Sequence, residues 1–425
     1  MGKITIDNLG RLSDITLYDQ YEKIGWWWLP NCEDKHVCGK IIYNKGRISL
    51  ETMFSMTGKD TGFLDNLDLQ KIPVIFGTLD TGENIRLIDC RMHHRTNNKC
   101  EHRVLKMFSN ARWNSPPEKF NKLSVEYSSL FEWLGIKTID VQHDEEKNII
   151  THTAPKSIPV KLDNENELNF FIGYSISHHY LPKNYIIPQF ASVTLTHNKQ
   201  ISFEILYEKL KYFRYFLMLA VQNPVYPIKI HARVDNELEA VFLDQELDQD
   251  KKDIDNQNML FTFQQIKDNH EKIIQTWYEL CAKYDKSLMI FFSNMFHSKF
   301  LTLELQFLQM AQSLEAFHRV DNKKDIHLKD RLNELLLPYQ DHFINFDTAK
   351  IEKSRHYYSH GFIEDYNESE ILDIQNLYFS TMRMDRLIQI CLLDKLPLNQ
   401  ELKNNIITKL MSDVDKTEIL NQKIK

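Results

Sequence analysis

The spacing of apolar positions changes character near the middle of the chain. Before about residue 225, apolar and polar residues alternate by twos in short runs closed by turn residues. Ile48, Leu50 and Thr52 alternate with polar partners just after Asn44-Lys45-Gly46. Lys40 to Tyr43 and Arg47 to Met53 are therefore predicted to form a hairpin with Gly46 in its turn. Pro73 to Leu79 and Ile85 to Cys90 make a second such pair around Asp80-Thr81-Gly82-Glu83. Further strands are predicted at Lys122 to Tyr127, Phe190 to Leu195 and Ile228 to Val234, which together suggest an antiparallel sheet or sandwich. Leu210 to Val221 departs from this pattern and reads as a helix stopped before Pro224 and Pro227.

From about residue 262 the period becomes helical. Ile266, Ile273, Trp277 and Leu280 make one apolar stripe. Leu303, Phe307, Met310, Leu314 and Phe317 follow at steps of 4, 3, 4 and 3, with Glu315, His318 and Arg319 beside or opposite that face. Ile326 to Leu337 predicts another helix, ended by Pro338. Asp347 suits the N-cap of a helix that carries Ile351 and Arg355. Asn367 with Glu370 resembles a capping box opening a long helix through Leu393, with Leu372, Leu377, Leu387, Ile388, Ile390 and Cys391 inward. About five helices with short links suggest a bundle. The acidic stretch Asp244 to Asp255 reads as a solvated linker between the halves. The fold class expected is α+β: a strand-rich N-terminal domain over residues 1–245, an all-α bundle over 256–400 and a tail over 401–425.

Charge narrows the function. The net charge is −7 in 425 residues, so no overall basic field exists to coat long nucleic acid. A locally basic cleft acting on RNA is still compatible with that balance. No apolar run is long enough to predict a transmembrane helix, and MGKITIDNLG carries no apolar segment of the secretory kind, so no membrane partner is expected. Six cysteines in a chain of this length make no disulfide framework, and a cytoplasmic location is expected.

Three places could carry chemistry. Trp26-Trp27-Trp28 could form a binding surface, but large aromatics mostly supply buried area, so core and rim of the first domain is the expectation. Cys90, His93, His94, Cys100 and His102 offer zinc-type donors at a spacing that matches no common zinc module; a hairpin tip is expected, with no metal and no other cofactor. The third place is Arg355-His356-Tyr357-Tyr358-Ser359-His360, an arginine and a histidine five positions apart, followed by Gly361. Five residues of helix advance about 7.5 Å and rotate by about 140°, so Arg355 and His360 do not share a narrow face, whereas His356 and His360 do. Gly361 suits the position just past a helix end, and a histidine there is favoured in its protonated form by the helix dipole. A dimer would let two copies of this helix bring the separated groups together.

The Arg355-x4-His360 spacing on a late helix of a small bundle resembles the HEPN ribonuclease motif. The segment Phe307-Leu308-Gln309-Met310-Ala311-Gln312-Ser313-Leu314-Glu315-Ala316-Phe317-His318-Arg319 resembles an earlier helix of ApeA-like HEPN proteins, which also carry a strand-rich domain ahead of the bundle. The position after the arginine is often Asn in that family and is His356 here. The resemblance implies a metal-independent endoribonuclease acting as a homodimer through the HEPN domain in abortive defence against phage. Its first domain would sense a phage-encoded trigger or restrain the nuclease. The RNA 2′-OH would attack the adjacent phosphate and leave a 2′,3′-cyclic phosphate and a 5′-OH, with tRNA among the candidate substrates. His360 would move the proton and Arg355 would hold the phosphate. His356 would add a phosphate contact, Tyr358 would stack on a base or pack in the bundle, and Glu315 would orient Arg355 or His360 or serve at the surface. Two competing readings are a non-catalytic helical interaction module coupled to a sensor domain, and a zinc enzyme built on Cys90 to His102.

Overall fold

The computed structural model describes residues 12–424 apart from 13–14, 54–55, 57–70, 97–98, 111–118, 144–147, 154, 175–187, 235–236, 246–257, 344–345 and 361–367. The two-residue period of the first hundred residues folds into a closed barrel. Its strands are β1 (Gln20–Trp28), β2 (Val37–Asn44), β3 (Arg47–Thr52), β4 (Lys71–Leu79), β5 (Asn84–Arg95) and β6 (Cys100–Ser109). They run in the order β6-β3-β2-β1-β4-β5, and β5 closes the ring by pairing with β6. The predicted β2–β3 hairpin forms with Asn44 opposite Arg47. Lys45 and Gly46 both take positive φ, as a two-residue turn of this twist requires. The strands pair antiparallel as expected, and the closure of six of them into a barrel is the addition to the expected sheet or sandwich. Alternation fixes which face of a strand is buried, but not whether the last strand returns to the first.

A second set of strands continues from the barrel: β7 (Lys119–Tyr127), then after the short helix α1 (Leu130–Leu134) the hairpin β8 (Ile139–His143) and β9 (Asn148–His152), then β10 (Ile158–Lys161), β11 (Asn166–Tyr174) and β12 (Gln189–Ser202). Helix α2 (Phe203–Val221) follows, then β13 (Pro227–Val234) and β14 (Glu237–Leu243). The open sheet runs β10-β11-β12-β7-β13-β14, with β8 and β9 paired separately. Along one edge of β6, residues 100–104 pair with β3 and residues 106–109 with β14, so one strand belongs to both sheets. Helix α2 starts at Ser202, whose hydroxyl accepts the Ile205 N–H, and it buries Leu206, Leu210, Phe213, Phe216 and Leu217.

The helical half comprises α3 (Phe263–Ile266), α4 (His270–Lys283), α5 (Asp285–His297), α6 (Leu303–Asp321), α7 (Leu328–Leu336), α8 (Thr348–Ser359), α9 (Ile374–Asp394) and α10 (Gln400–Ile424). The stripe predicted from Ile266 to Leu280 is divided between α3 and α4 by a 3-10 turn at Lys267–Asn269. Helix α6 is central: Phe307, Met310, Leu314 and Phe317 are buried as their spacing predicts. It comes close to α5 where Ser287 Oγ donates to the Ser313 carbonyl at 2.8 Å and Ser313 Oγ returns a bond to the Ser287 carbonyl at 2.9 Å. Pro338 ends α7 in a 3-10 turn, as predicted. Asp347 caps α8 by accepting the Lys350 N–H at 2.9 Å.

The start of α9 differs from its prediction. Asn367 and Gly361 lie outside the described residues, and the helix opens at Ile374 with Asp373 as its cap. Glu370 does not cap a helix; it pairs with Lys353 of α8 at 2.7 Å, while the Leu372 N–H bonds Ser354 Oγ at 2.9 Å. These bonds dock the segment before α9 onto α8. Residues 400–424 form α10, which buries Leu402, Ile406, Leu410 and Met411. Of the acidic linker, Asp244 is described and accepts a bond from Arg103 Nε at 2.6 Å, while residues 246–257 lie outside the described set.

Candidate active site

Helix α8 runs antiparallel to α6, which sets the candidate residues in a row. Near the start of α8, Glu352 accepts the Lys329 N–H of α7 at 3.3 Å. In the middle, Arg355 Nη2 reaches Glu315 Oε2 of α6 at 3.5 Å, a long contact. Toward the end, Tyr358 meets Phe307 edge-on at 6.1 Å between ring centroids. The buried residues of α8 in this packing are the apolar Ile351 and the polar Ser354. They leave Arg355 partly open, with His356 and His360 on the exposed side.

Glu315 binds two arginines at once. Its other oxygen accepts Arg319 Nη2 at 2.7 Å, one helical turn along α6. Two guanidinium groups on one carboxylate leave donors of each unsatisfied by it, so either can turn to an incoming oxyanion. His356 and His360 are neighbours, with ring centroids 4.4 Å apart, as their i, i+4 spacing predicts. His360 is itself the C-cap, its N–H bonding the His356 carbonyl at 3.2 Å. Arg355 and His360 make no hydrogen bond to one another among the described residues, as the rotation between them requires. Tyr358 has its phenol pushed up by burial first and then by Glu304, Tyr357 and Asp373, so it is a neutral group that packs rather than a base.

Beside this row lies a buried polar network that the residue patterns did not single out. Arg331 of α7 is almost wholly buried and donates Nη1 to His318 Nδ1 at 3.1 Å and Nη2 to the Lys324 carbonyl at 2.7 Å. Because arginine only donates, His318 Nδ1 must accept, which leaves its Nε2–H to meet Glu334 at 2.8 Å. His318 is thus held in one neutral tautomer and stiffens the α6–α7 corner. Hydrogen bonds from Asn322 and His318 hold the Glu334 carboxyl below the usual range. The signal in the sequence was an arginine on the Leu328, Leu332 and Leu336 stripe of α7.

The other candidate places sort by burial. Trp27 and Trp28 are buried, while Trp26 is 53% exposed and touches His36 edge-on at 5.0 Å. Trp27 fills space left by Gly77, where an added Cβ would come within 2.3 Å of its ring. The Cys90 to His102 segment is the end of the β5–β6 hairpin, with Arg95 opposite Cys100. Cys90, Cys100 and His102 are buried and His93 is exposed, so the four donors do not converge. No three His, Cys, Asp or Glu residues form a metal-binding group among the described residues. Burial also pushes the Cys90 thiol up and His102 down. No helix among the described residues is long and apolar enough to cross a membrane.

Comparison with protein families matches residues 22–277 to the model described as ApeA N-terminal domain 1, and residues 308–402 to the Apea-like HEPN model. The first match covers well over half of the chain and ends at Trp277, whose indole donates to the Tyr212 carbonyl of α2 at 2.7 Å. The second spans most of α6 and all of α7, α8 and α9, and so contains Glu315, Arg355, His356, Tyr358 and His360. Neither the curated proteins nor the solved structures contain a match.

Proposed function

The chain belongs to the ApeA-like HEPN proteins, and from that premise we propose that its helical half is a metal-independent endoribonuclease of abortive anti-phage defence. HEPN domains form a family of ribonucleases often involved in defence. The observation that carries the finer reading is the exposed end of α8, where a partly open arginine on Glu315 lies on the same helix as two contacting histidines at the C-cap.

In this reading Arg355 binds the scissile phosphate with its fork and offsets the charge that grows on the phosphoryl oxygens. His360 takes the proton from the 2′-OH or gives one to the departing 5′ oxygen, since imidazole titrates near neutral pH. One histidine cannot be base and acid in the same step. A second copy supplies the other proton-transfer group, with His356 as an added phosphate contact. The partner copy has a face to use. Leu305, Ile374 and Tyr378 are exposed, and Leu305 and Ile374 adjoin Glu304 and Asp373, the carboxylates that neighbour Tyr358. We assign the strand-rich half to sensing a phage-encoded trigger, and tRNA is one candidate substrate.

The test is total RNA from cells expressing wild type, Arg355→Ala or His360→Ala under phage challenge, with cleavage of purified RNA repeated in EDTA. Wild type should cut and leave cyclic-phosphate ends, and both variants should be silent. Variants that fold and still fragment RNA would instead make the bundle an interaction module.

A further inference from the structure

The row of site residues continues past Arg319 into a cleft that the chemistry above does not use. It measures about 400 Å³ and is lined by Arg319, Lys323, Lys324, Asp325 and Arg331, four bases against one carboxylate. This is a local reversal of sign in a chain of net charge −7. Three nearby acids outside the lining are already committed. Asp321 is held by Lys283 at 2.6 Å and Lys395 at 3.2 Å, Glu334 by His318 and Asn322, and Glu315 by the two arginines. Arg331 is 1% exposed, and its Nε lacks a hydrogen-bond partner although both of its terminal nitrogens are bonded. A buried guanidinium with a spare donor in a cationic cleft wants an anion.

We propose that this cleft binds a backbone phosphate of the RNA strand being cut, which makes Lys323, Lys324, Arg319 and Arg355 one phosphate track along α6 and α8. The inference rests on the ribonuclease reading and extends it from a scissile phosphate to a path for the strand. Arg319 lies four residues, or about 6 Å of helix rise, from Glu315. Glu315 is the joint that ties the cleft's Arg319 to Arg355. The strand enters over the α6–α7 corner, passes Arg355 and reaches His360 at the far end of α8. The lining carries charge but no aromatic ring, so the cleft grips phosphate rather than reading a base.

The test uses the full chain and a labelled 2′-O-methyl RNA oligonucleotide, which cannot be cut. Affinity is measured against salt for wild type and for the double variant Lys323→Ala, Lys324→Ala. Both changes fall on side chains of the loop after α6 and leave intact the Lys324 carbonyl that accepts Arg331. Two lost contacts should flatten the slope of log affinity against log salt by about 1.4. A double variant with the wild-type slope and affinity overturns the proposal, as does a wild type without RNA affinity at low salt. A second arm adds inorganic phosphate to wild type at fixed ionic strength. Lysine-dependent phosphate binding with unchanged RNA affinity assigns the cleft to a free phosphorylated ligand and also overturns it. The two readings fail separately. A flattened slope in a chain that never cuts RNA keeps the track and removes the nuclease. Cutting that depends on His360, with a slope indifferent to the lysines, does the reverse.

Discussion

Each half of the molecule holds an arginine–glutamate pair, and the two sit in opposite surroundings. In the strand-rich half, Arg86 of β5 meets Glu239 of β14 at 2.9 Å with both side chains under 5% exposed, and the guanidinium lies over the Phe108 ring at 4.9 Å. In the helical half, Arg355 meets Glu315 at 3.5 Å with its side chain 39% exposed. The first pair is enclosed at the junction of barrel and sheet, where both charges are shielded from water, so removing either one is costly. The second is long, shared with Arg319 and open to solvent, so its arginine can exchange partners at little cost. The same two residue types therefore hold a fold together in one half and remain available for a ligand in the other.

The comparison breaks most readily at the buried pair. Glu239→Ala strands a buried guanidinium and should cost about 3–5 kcal/mol, seen as a lower denaturant midpoint. A loss under about 1 kcal/mol would put this pair in the class of exposed ones. Next comes Arg355→Ala, which should lower RNA cleavage about 10²–10³-fold. Its midpoint should stay within about 0.5 kcal/mol of wild type, and a large stability loss would make Arg355 structural. Glu315→Gln keeps the shape and removes the charge that positions both arginines. It should lose less than about 1 kcal/mol, or under about fivefold in rate. A silent enzyme would instead mean that Glu315 takes part in the chemistry.

A pH dependence marks an intermediate case. Burial alone would raise Asp321, but hydrogen bonds from Lys283, Tyr284 and Lys395 outweigh it and bring the carboxyl to about 2. A carboxylate depressed in the folded state adds stability above its unfolded value, and that stability is lost as pH falls from about 4 toward 2. Wild type should exceed Asp321→Asn in thermal midpoint at pH 5, and the gap should shrink below pH 4. A constant gap would show that the contribution is not ionic.

Local spacing made much of this legible. The β2–β3 turn was readable from Gly46, because glycine takes the positive φ of a tight turn most readily, whereas the positive φ of Lys45 was not signalled by its side chain. The α6 stripe was readable because apolar residues at steps of 3 and 4 have one place to go. Arg331 shows the limit: a charge on an apolar stripe signals a buried partner but does not say which, and His318 comes from α6 and Asn322 and Lys324 from the chain just after it.

The chain's sequence by itself determined the two periods, the Asp347 cap, the contact of His356 with His360 and the candidate motif, because each depends on residues within one or two turns. Tertiary structure alone decided that six strands close into a barrel, that Glu370 pairs with Lys353 of α8, and that Glu315 joins Arg319 to Arg355. Each of these is a contact between segments far apart in the chain. A local pattern fixes what an element buries, and only the packing of whole elements fixes what it meets.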